Sequence, residues 1–169
     1  MREEDALAVH QVHLRAFGGR EDEAHLVESL HAAGAAPVSL VATSEPDGRV
    51  VGHVLFSPVE LLNGSRADPP RMVGLAPVAV LPEHQGRGIG SRLVRDGLKA
   101  CREAGYAAAV VLVEPGYYSR FGFERASARA LGNESGADEH FMVAELGDGA
   151  LGGTGGTVRY RSEFGEVDA

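Results

Sequence analysis

Near the start of the chain, apolar residues recur at helical spacing twice. In 5–17, "DALAVHQVHLRAF", Leu7, Val12, Leu14 and Phe17 stand among polar residues, and Gly18-Gly19 follows, which predicts an amphipathic helix stopped by the glycine pair. In 21–33, "EDEAHLVESLHAA", Leu26, Val27 and Leu30 repeat the pattern, with acids in the first turn and Gly34 at the end. From residue 38 the pattern becomes that of strands. "VSLVATS" and "VVGHVLFSPVELL" flank the turn sequence "EPDGR", which predicts a hairpin over 38–61, with Pro58 marking a bulge or a strand edge. After the loop "NGSRADPPR", the mostly apolar "MVGLAPVAVL" reads as a central strand covered on both faces.

A glycine-punctuated turn comes next. Beyond it a helical pattern runs to about Ala104, with Ile89, Leu93, Leu98 and Cys101 on one face and Gly105 as its cap. "YAAAVVLV" reads as another buried strand, "EPGYYSRFGF" as short, aromatic and turn-rich, and "HFMVAEL" as a further strand. The glycine-rich stretch 147–157 reads as a flexible loop, and "VRYRSEF" as a segment that pairs at a sheet edge. No internal repeat is visible. The order of helices and strands predicts a mixed α/β fold around one sheet, a single domain over 1–169.

Composition narrows the function. Apolar residues make up 44% and charged residues 24%, ordinary for a globular protein, and no apolar run approaches ~18 residues, so no membrane span is expected. The opening "MREEDALAVH" has acids where a secretory signal needs an apolar core, so the expected location is cytoplasmic. A net charge of −8 argues against nonspecific nucleic-acid binding. The lone cysteine, Cys101, suits a reducing compartment and excludes an internal disulfide framework. His10 and His13 lie three apart on the first predicted helix, but no Cys or carboxylate cluster completes a metal set, so they read as solvated helix residues and no metal is expected. His53, in an apolar stretch, reads as a satisfied core histidine.

The turn Gln85-Gly86-Arg87-Gly88-Ile89-Gly90 joins a strand pattern to a helix pattern. Backbone N–H groups converge at such a place, and the helix dipole adds partial positive charge, so it can hold an anion. The local charge agrees, because no acid occurs between Glu83 and Asp96 while Arg87, Arg92 and Arg95 do. A nucleoside-triphosphate P-loop needs a lysine that is absent here. A dinucleotide fingerprint needs a third glycine where this chain has Ser91. The remaining pattern, Gln/Arg-x-x-Gly-x-Gly/Ala, is matched by Gln85, Gly88 and Gly90. A tight strand-to-helix turn without a ligand is the competing reading.

With its neighbours, this turn resembles the GNAT superfamily of acyl-CoA N-acyltransferases. "LAPVAVLPEHQGRGIGSRLVRDGLKACREAGY" is similar to the family's central strand, pyrophosphate loop and following helix, and "RVVGHVLFSPVEL" to the strand before them. "VVLVEPGYYSRFGF" resembles the next strand and the Tyr-x-x-x-Gly-Phe signature, here Tyr118, Gly122 and Phe123, in a form similar to a bacterial subgroup of predicted acetyltransferases. The resemblance covers most of residues 3–146. It implies a GNAT-type α/β fold: a mixed, mostly antiparallel central sheet, splayed between the parallel strands 73–81 and 107–113 and flanked by helices.

It also implies acetyl-CoA as cofactor. Backbone amides of Gly86, Arg87, Gly88, Ile89, Gly90 and Ser91, in the turn that Gln85 opens, would bind the pyrophosphate. Main-chain groups of Val78, Ala79 and Val80 would pair with the pantetheine arm, and the Val80 amide would polarise the thioester carbonyl. A primary amine of a small molecule or a protein would attack directly. Tyr118 matches the tyrosine that protonates the departing thiolate, a role suited by a phenol pKa near ~10 beside a thiol near ~8.5.

Glu60, His84, Glu114 or water would take the amine's proton. By residue type alone Tyr117 and Tyr118 read as aromatic packing. The family motif changes that for Tyr118, leaves Tyr117 as packing or substrate wall, and makes Gly122 a backbone turn. The family's initial strand is truncated or missing, since Met1 and Arg2 lead almost at once into the first helix, so either the true start lies upstream or the sheet edge is left uncovered. The uncovered sheet edge would be left to the tail or to a second copy in a homodimer. A non-catalytic acyl-CoA-binding or regulatory module is the alternative function.

Overall fold

Left-handed glycines end the first two helices as expected. The computed structural model describes residues 1–64, 68–113, 115–136 and 138–166. A single 3-10 turn at Glu3–Asp5 leads into α1, Ala6–Ala16, and no strand precedes it among the described residues. Gly18 and Gly19, at φ +67° and +88°, turn the chain after α1, and Gly34 at φ +68° does the same after α2, Asp22–Ala32. β1, Val38–Thr43, and β2, Val50–Leu62, form the expected hairpin, registered from Val38 opposite Phe56 to Thr43 opposite Val50.

β2 changes partner along its length. After the last β1 pair at Phe56, its far end pairs with β8, Gly156–Arg159, starting at Glu60 opposite Arg159. Pro58 falls in the gap between these two ladders, where a residue without an N–H costs no hydrogen bond to either.

β3, Met72–Val80, runs parallel to β4, Ala108–Leu112, pairing through Met72–Gly74. α3, Ile89–Glu103, connects them, and Gly105 at φ +94° closes it. β4 is antiparallel to β7, Phe141–Glu145. Two short strands, β5 (Glu124–Arg125) against β7 and β6 (Leu131–Asn133) against β8, were not legible as strands because each is only two or three residues long. The strand order is β5-β7-β4-β3-β2-β8-β6, with β1 also on β2. This is the expected mixed, mostly antiparallel sheet with helices. The "VRYRSEF" segment differs from its expected edge position, because β8 lies between β2 and β6.

The chain forms two compact units, one of Met1–Ser57, Ala76–Gly97 and Ser162–Ala169, the other of Pro58–Leu75 and Leu98–Arg161. In the first, Val9 and Val12 of α1 and Leu26 and Leu30 of α2 pack with Val51 and Leu55 of β2. In the second, Met72, Val110, Phe141 and Val158 form the centre of the core. The glycine-rich stretch after β7 belongs to this second unit and is anchored. The Glu145 carboxylate accepts from the amides of Gly149 and Leu151 and from Arg129 Nη2, and the Leu151 side chain is buried.

The inward stripe of α3 differs slightly from the expected one. Leu93, Val94 and Cys101 are buried, while Leu98 is only half-buried. Gly97 lies on the same stripe, and a Cβ there would fall on the ring of the fully buried Phe56.

His13 corrects the sequence reading. It is fully buried, not solvated, because it shares the apolar stripe of α1 with Val9 and Val12. Its Nε2 meets His53 Nδ1 at 2.8 Å, and His53 Nε2 meets Ser39 Oγ at 2.8 Å, so His53 is the satisfied core histidine expected. His10 is partly exposed and contacts Glu28 Oε1 through Nδ1 at 2.6 Å. Burial, reinforced by neighbouring histidines, pushes His13 down to about 4 and His53 down to about 2.

Two outcomes follow from this packing. Gly97→Ala, a change that favours an exposed helix by ~1 kcal/mol, should here destabilise the protein by roughly 1–3 kcal/mol in denaturant titrations, because the added Cβ would fall on the ring of the fully buried Phe56. The histidine pair makes stability fall with acid. Its folded pKa values lie below the ordinary 6.5, so the unfolded chain binds more protons. The stabilisation is present above pH ~6.5 and is lost towards pH 4, on the order of 3 kcal/mol for His13. Thermal midpoints measured from pH 7.5 to 4.5 should fall steeply in the wild type and less steeply in His13→Gln/His53→Gln. Equal slopes would exclude the pair as the cause.

Candidate active site

In the first unit, three contacts hold the end of β3. Leu81 N donates to Val51 O at 2.8 Å, which ties the strand's exit to β2. The 3-10 turn Pro82–His84 reverses the chain, with His84 N donating to Leu81 O at 2.8 Å. Gln85 then reaches back, its Nε2 donating to Val80 O at 3.0 Å. The glutamine of the motif is therefore a brace that fixes where the glycine turn begins, and its amide is spent on the protein itself.

Gly86 and Gly88 sit at φ +78° and +83°, a region that L side chains avoid. A Cβ on either would meet nothing within 4 Å, so backbone conformation, not crowding, demands these glycines, and the space before them is open. Gly90 is different: its Cβ would touch Val80 Cγ2 at an ordinary 3.7 Å, in keeping with a motif that accepts Gly or Ala there. α3 begins at Ile89, with Arg92 N donating to Gly88 O at 3.1 Å. The amides of Ile89, Gly90 and Ser91 belong to its first turn, the end of a helix that carries partial positive charge. Just ahead, Val78 is half-buried, and Ala79 and Val80 are buried.

The charge around this turn is arranged for an anion. Glu83, the acid just before it, is clamped by Arg15 through two bonds of 2.8 and 2.7 Å, with Arg49 at 3.8 Å. These contacts, Arg15 first, hold its carboxyl down at about 2. Asp96, the first acid beyond the turn, faces Arg92 at 3.5 Å. Arg15 stands 68 residues before Glu83, and no spacing rule links them.

In the second unit, Tyr118 ends the short α4, Pro115–Tyr118. A 3-10 turn, Ser119–Phe121, follows, and Gly122 closes it at φ +88°, the turn role expected of that glycine. The rings of Tyr117, Phe121 and Phe123 meet the Tyr118 ring at steep angles, with centroids 5.2, 5.8 and 5.7 Å away. Burial, then the neighbouring Tyr117, pushes the Tyr118 phenol up to about 12. The hydroxyl therefore keeps its proton far above neutral pH and is available as a hydrogen-bond donor. Tyr117 is more exposed, and the Arg120 guanidinium lies 4.3 Å from its ring centre.

Of the candidate bases, Glu60 is engaged by Arg159 at 2.8 Å, and Arg159 also faces Glu134 at 3.7 Å, the arrangement of a surface ion-pair cluster. His84 is half-buried beside the glycine turn. Glu114 lies outside the described residues.

Known proteins with the same features agree on one family. Residues 1–126 match the family model described as an acetyltransferase (GNAT) domain. The chain is 39% identical over 161 residues to YhbS of Escherichia coli K12, an uncharacterized N-acetyltransferase, covering 95% of this chain and 93% of that protein. The crystal structure of Escherichia coli YhbS in complex with CoA superposes with a TM-score of 0.89 at 38% identity, over 98% of this chain and 89% of the other. A GNAT family acetyltransferase from Brucella melitensis in complex with acetyl-CoA superposes with a TM-score of 0.77 at 35% identity, over 97% and 94%. On sequence and fold together, the chain belongs to the GNAT acetyltransferase family.

Proposed function

We propose that this protein transfers an acetyl group from acetyl-CoA to a primary amine, by direct attack of the amine. The observation that carries the reading is the glycine turn: two left-handed glycines open to free space, a helix N-terminus behind them, and the nearest acid neutralised by arginine. That cradle fits a pyrophosphate, and relatives with this fold hold CoA and acetyl-CoA. Bound there, acetyl-CoA supplies the acetyl group as a thioester together with the thiol that leaves.

The residues divide the work as follows. Amides from Gly86 to Ser91 hold the pyrophosphate, and Gln85 keeps the turn in place by bracing Val80. Main-chain groups of Val78, Ala79 and Val80 hold the pantetheine arm, and the Val80 amide donates to the thioester carbonyl as it gains negative charge. Tyr118, protonated throughout the working range, donates to the leaving sulfur. The acceptor is a small-molecule or protein amine.

Three measurements test this. Calorimetric titration with acetyl-CoA should give micromolar binding, and Gly88→Glu should weaken it at least tenfold without loss of the folded state, since it adds both a negative charge and ~1–2 kcal/mol of left-handed strain. Unchanged binding in Gly88→Glu would mean that the turn holds no pyrophosphate. Tyr118→Phe keeps the aromatic packing and should bind acetyl-CoA normally while losing about 100-fold in kcat on an amine panel. The wild-type rate should show no alkaline decline from Tyr118 below about pH 11, one unit under its pKa of about 12. Binding without turnover in the wild type would favour a non-catalytic acyl-CoA module.

A further inference from the structure

Glu83 is an acid in a place where an acid works against the cofactor. It stands three residues before Gly86, the first amide of the glycine turn, and three residues span at most ~10 Å. The backbone is folded tighter than that, since His84 N donates to Leu81 O at 2.8 Å and Gln85 N to Pro82 O at 3.3 Å. At ~0.1 M salt, charges are felt over ~10 Å. A bare carboxylate here would repel a doubly charged pyrophosphate.

The carboxylate is not bare. Arg15, near the end of α1, gives Nη1 to Oε1 at 2.8 Å and Nη2 to Oε2 at 2.7 Å, so each oxygen accepts one bond. Arg49, just ahead of β2, brings its Nη2 to 3.8 Å from Oε1. With its carboxyl held at about 2, Glu83 stays charged through the working range. Asp47, the acid beside Arg49, is bonded inside its own turn to Ser44 Oγ and Arg49 N. All of these residues belong to the first unit. Stability does not account for the fork. The Arg15 and Glu83 side chains are 43% and 42% exposed, and exposed pairs contribute little to folding.

We propose that Arg15 is a positioning residue for acetyl-CoA: by pairing with Glu83 it cancels an acid at the entry to the glycine turn, and so sets the affinity of the turn for the cofactor's pyrophosphate. The inference rests on reading that turn as the pyrophosphate cradle. Arg15 acts through Glu83 and needs no contact with the cofactor. The two partners then act with opposite signs. Losing Arg15 leaves a net negative charge beside the turn, and losing Glu83 leaves a net positive one. Losing both returns the local charge to that of the wild type. A fork that served only to fasten α1 to the turn behaves differently, because either loss breaks the same two bonds and harms binding alike.

The test is calorimetric titration of acetyl-CoA into the full chain in four forms: wild type, Arg15→Gln, Glu83→Gln and the double variant. One charge acting on two across ~10 Å of water changes an equilibrium roughly fourfold. At ~0.01 M salt, Arg15→Gln should therefore bind roughly fourfold more weakly than the wild type, Glu83→Gln roughly fourfold more tightly, and the double variant within about twofold of it. At ~1 M salt, where charges are felt over only ~3 Å, the four should converge. Thermal midpoints should stay close together, as befits an exposed pair. Weaker binding in Glu83→Gln, a double variant as weak as Arg15→Gln, or differences that survive ~1 M salt would overturn the proposal and leave the fork a fastening. Equal binding in all four forms at ~0.01 M salt would overturn it too. Gly88→Glu separates that failure from failure of the cradle reading. If Gly88→Glu binds weakly while the fork variants match the wild type, only the role of Arg15 falls. If Gly88→Glu binds as the wild type does, both fall.

Discussion

The arrangement of the glycine turn depends on where β3 is allowed to stop. A strand running into a helix could end anywhere along an apolar stretch such as Met72–Leu81, and the first amides of the helix would then be aimed by chance. Here the exit is pinned twice, by Leu81 N on Val51 O and by the Gln85 side chain on Val80 O. The second bond spans only five residues, yet it closes the chain across the reversal, so Gly86 begins at a set distance from the strand end. The left-handed glycines can then turn the backbone without a side chain to obstruct the approach. Brace and glycines act in series: without the brace the turn has no fixed origin, and without the glycines it cannot reach the helix in this conformation.

Electrostatics reinforces this geometry against the composition of the chain. The protein carries a net charge of −8, which by itself would repel a polyphosphate. Repulsion is avoided locally. Acids are absent from 84–95, and the one acid just ahead, Glu83, is bound by Arg15 in a two-bond fork with Arg49 nearby. Exposed pairs of this kind contribute little to stability. Their value here lies in the sign of the field at a helix N-terminus.

Much of this was legible in the sequence, for reasons that can be stated residue by residue. Gly18, Gly34 and Gly105 announced helix ends because left-handed caps favour glycine, and the hairpin followed from a turn sequence between two strand patterns. The glycine turn was readable because its requirement is local and conformational. Three things were not. β5 and β6 are too short to show a period. The anchoring of the 147–157 segment rests on one carboxylate, Glu145, accepting from amides four and six residues away, which composition cannot reveal. His13 is buried on the stripe of Val9 and Val12, but the partner that makes a polar ring tolerable there, His53, stands 40 residues on, a contact that no helical pattern encodes. Tyr118 shows the same limit in its chemistry, since its motif position was evident but the aromatic enclosure that raises its pKa was not.

The buried histidines raise a question of economy in the core itself. Apolar groups of matching shape could replace a hydrogen-bonded buried pair at nearly no cost, so the bonds among His13, His53 and Ser39 do not by themselves explain why polar residues stand there. The bare His13 Nδ1 adds a desolvation cost of ~1–3 kcal/mol, and protonation of either ring inside the core adds more. The two properties that imidazoles and a hydroxyl hold in common, and that leucine or valine lack, are the capacity to donate or accept at the same atom and to change which they do without moving. In a neutral ring the first property is enough to join elements: His53 on β2 can donate at one nitrogen and accept at the other, and so ties His13 of α1 to Ser39 of β1 without a charge in the core.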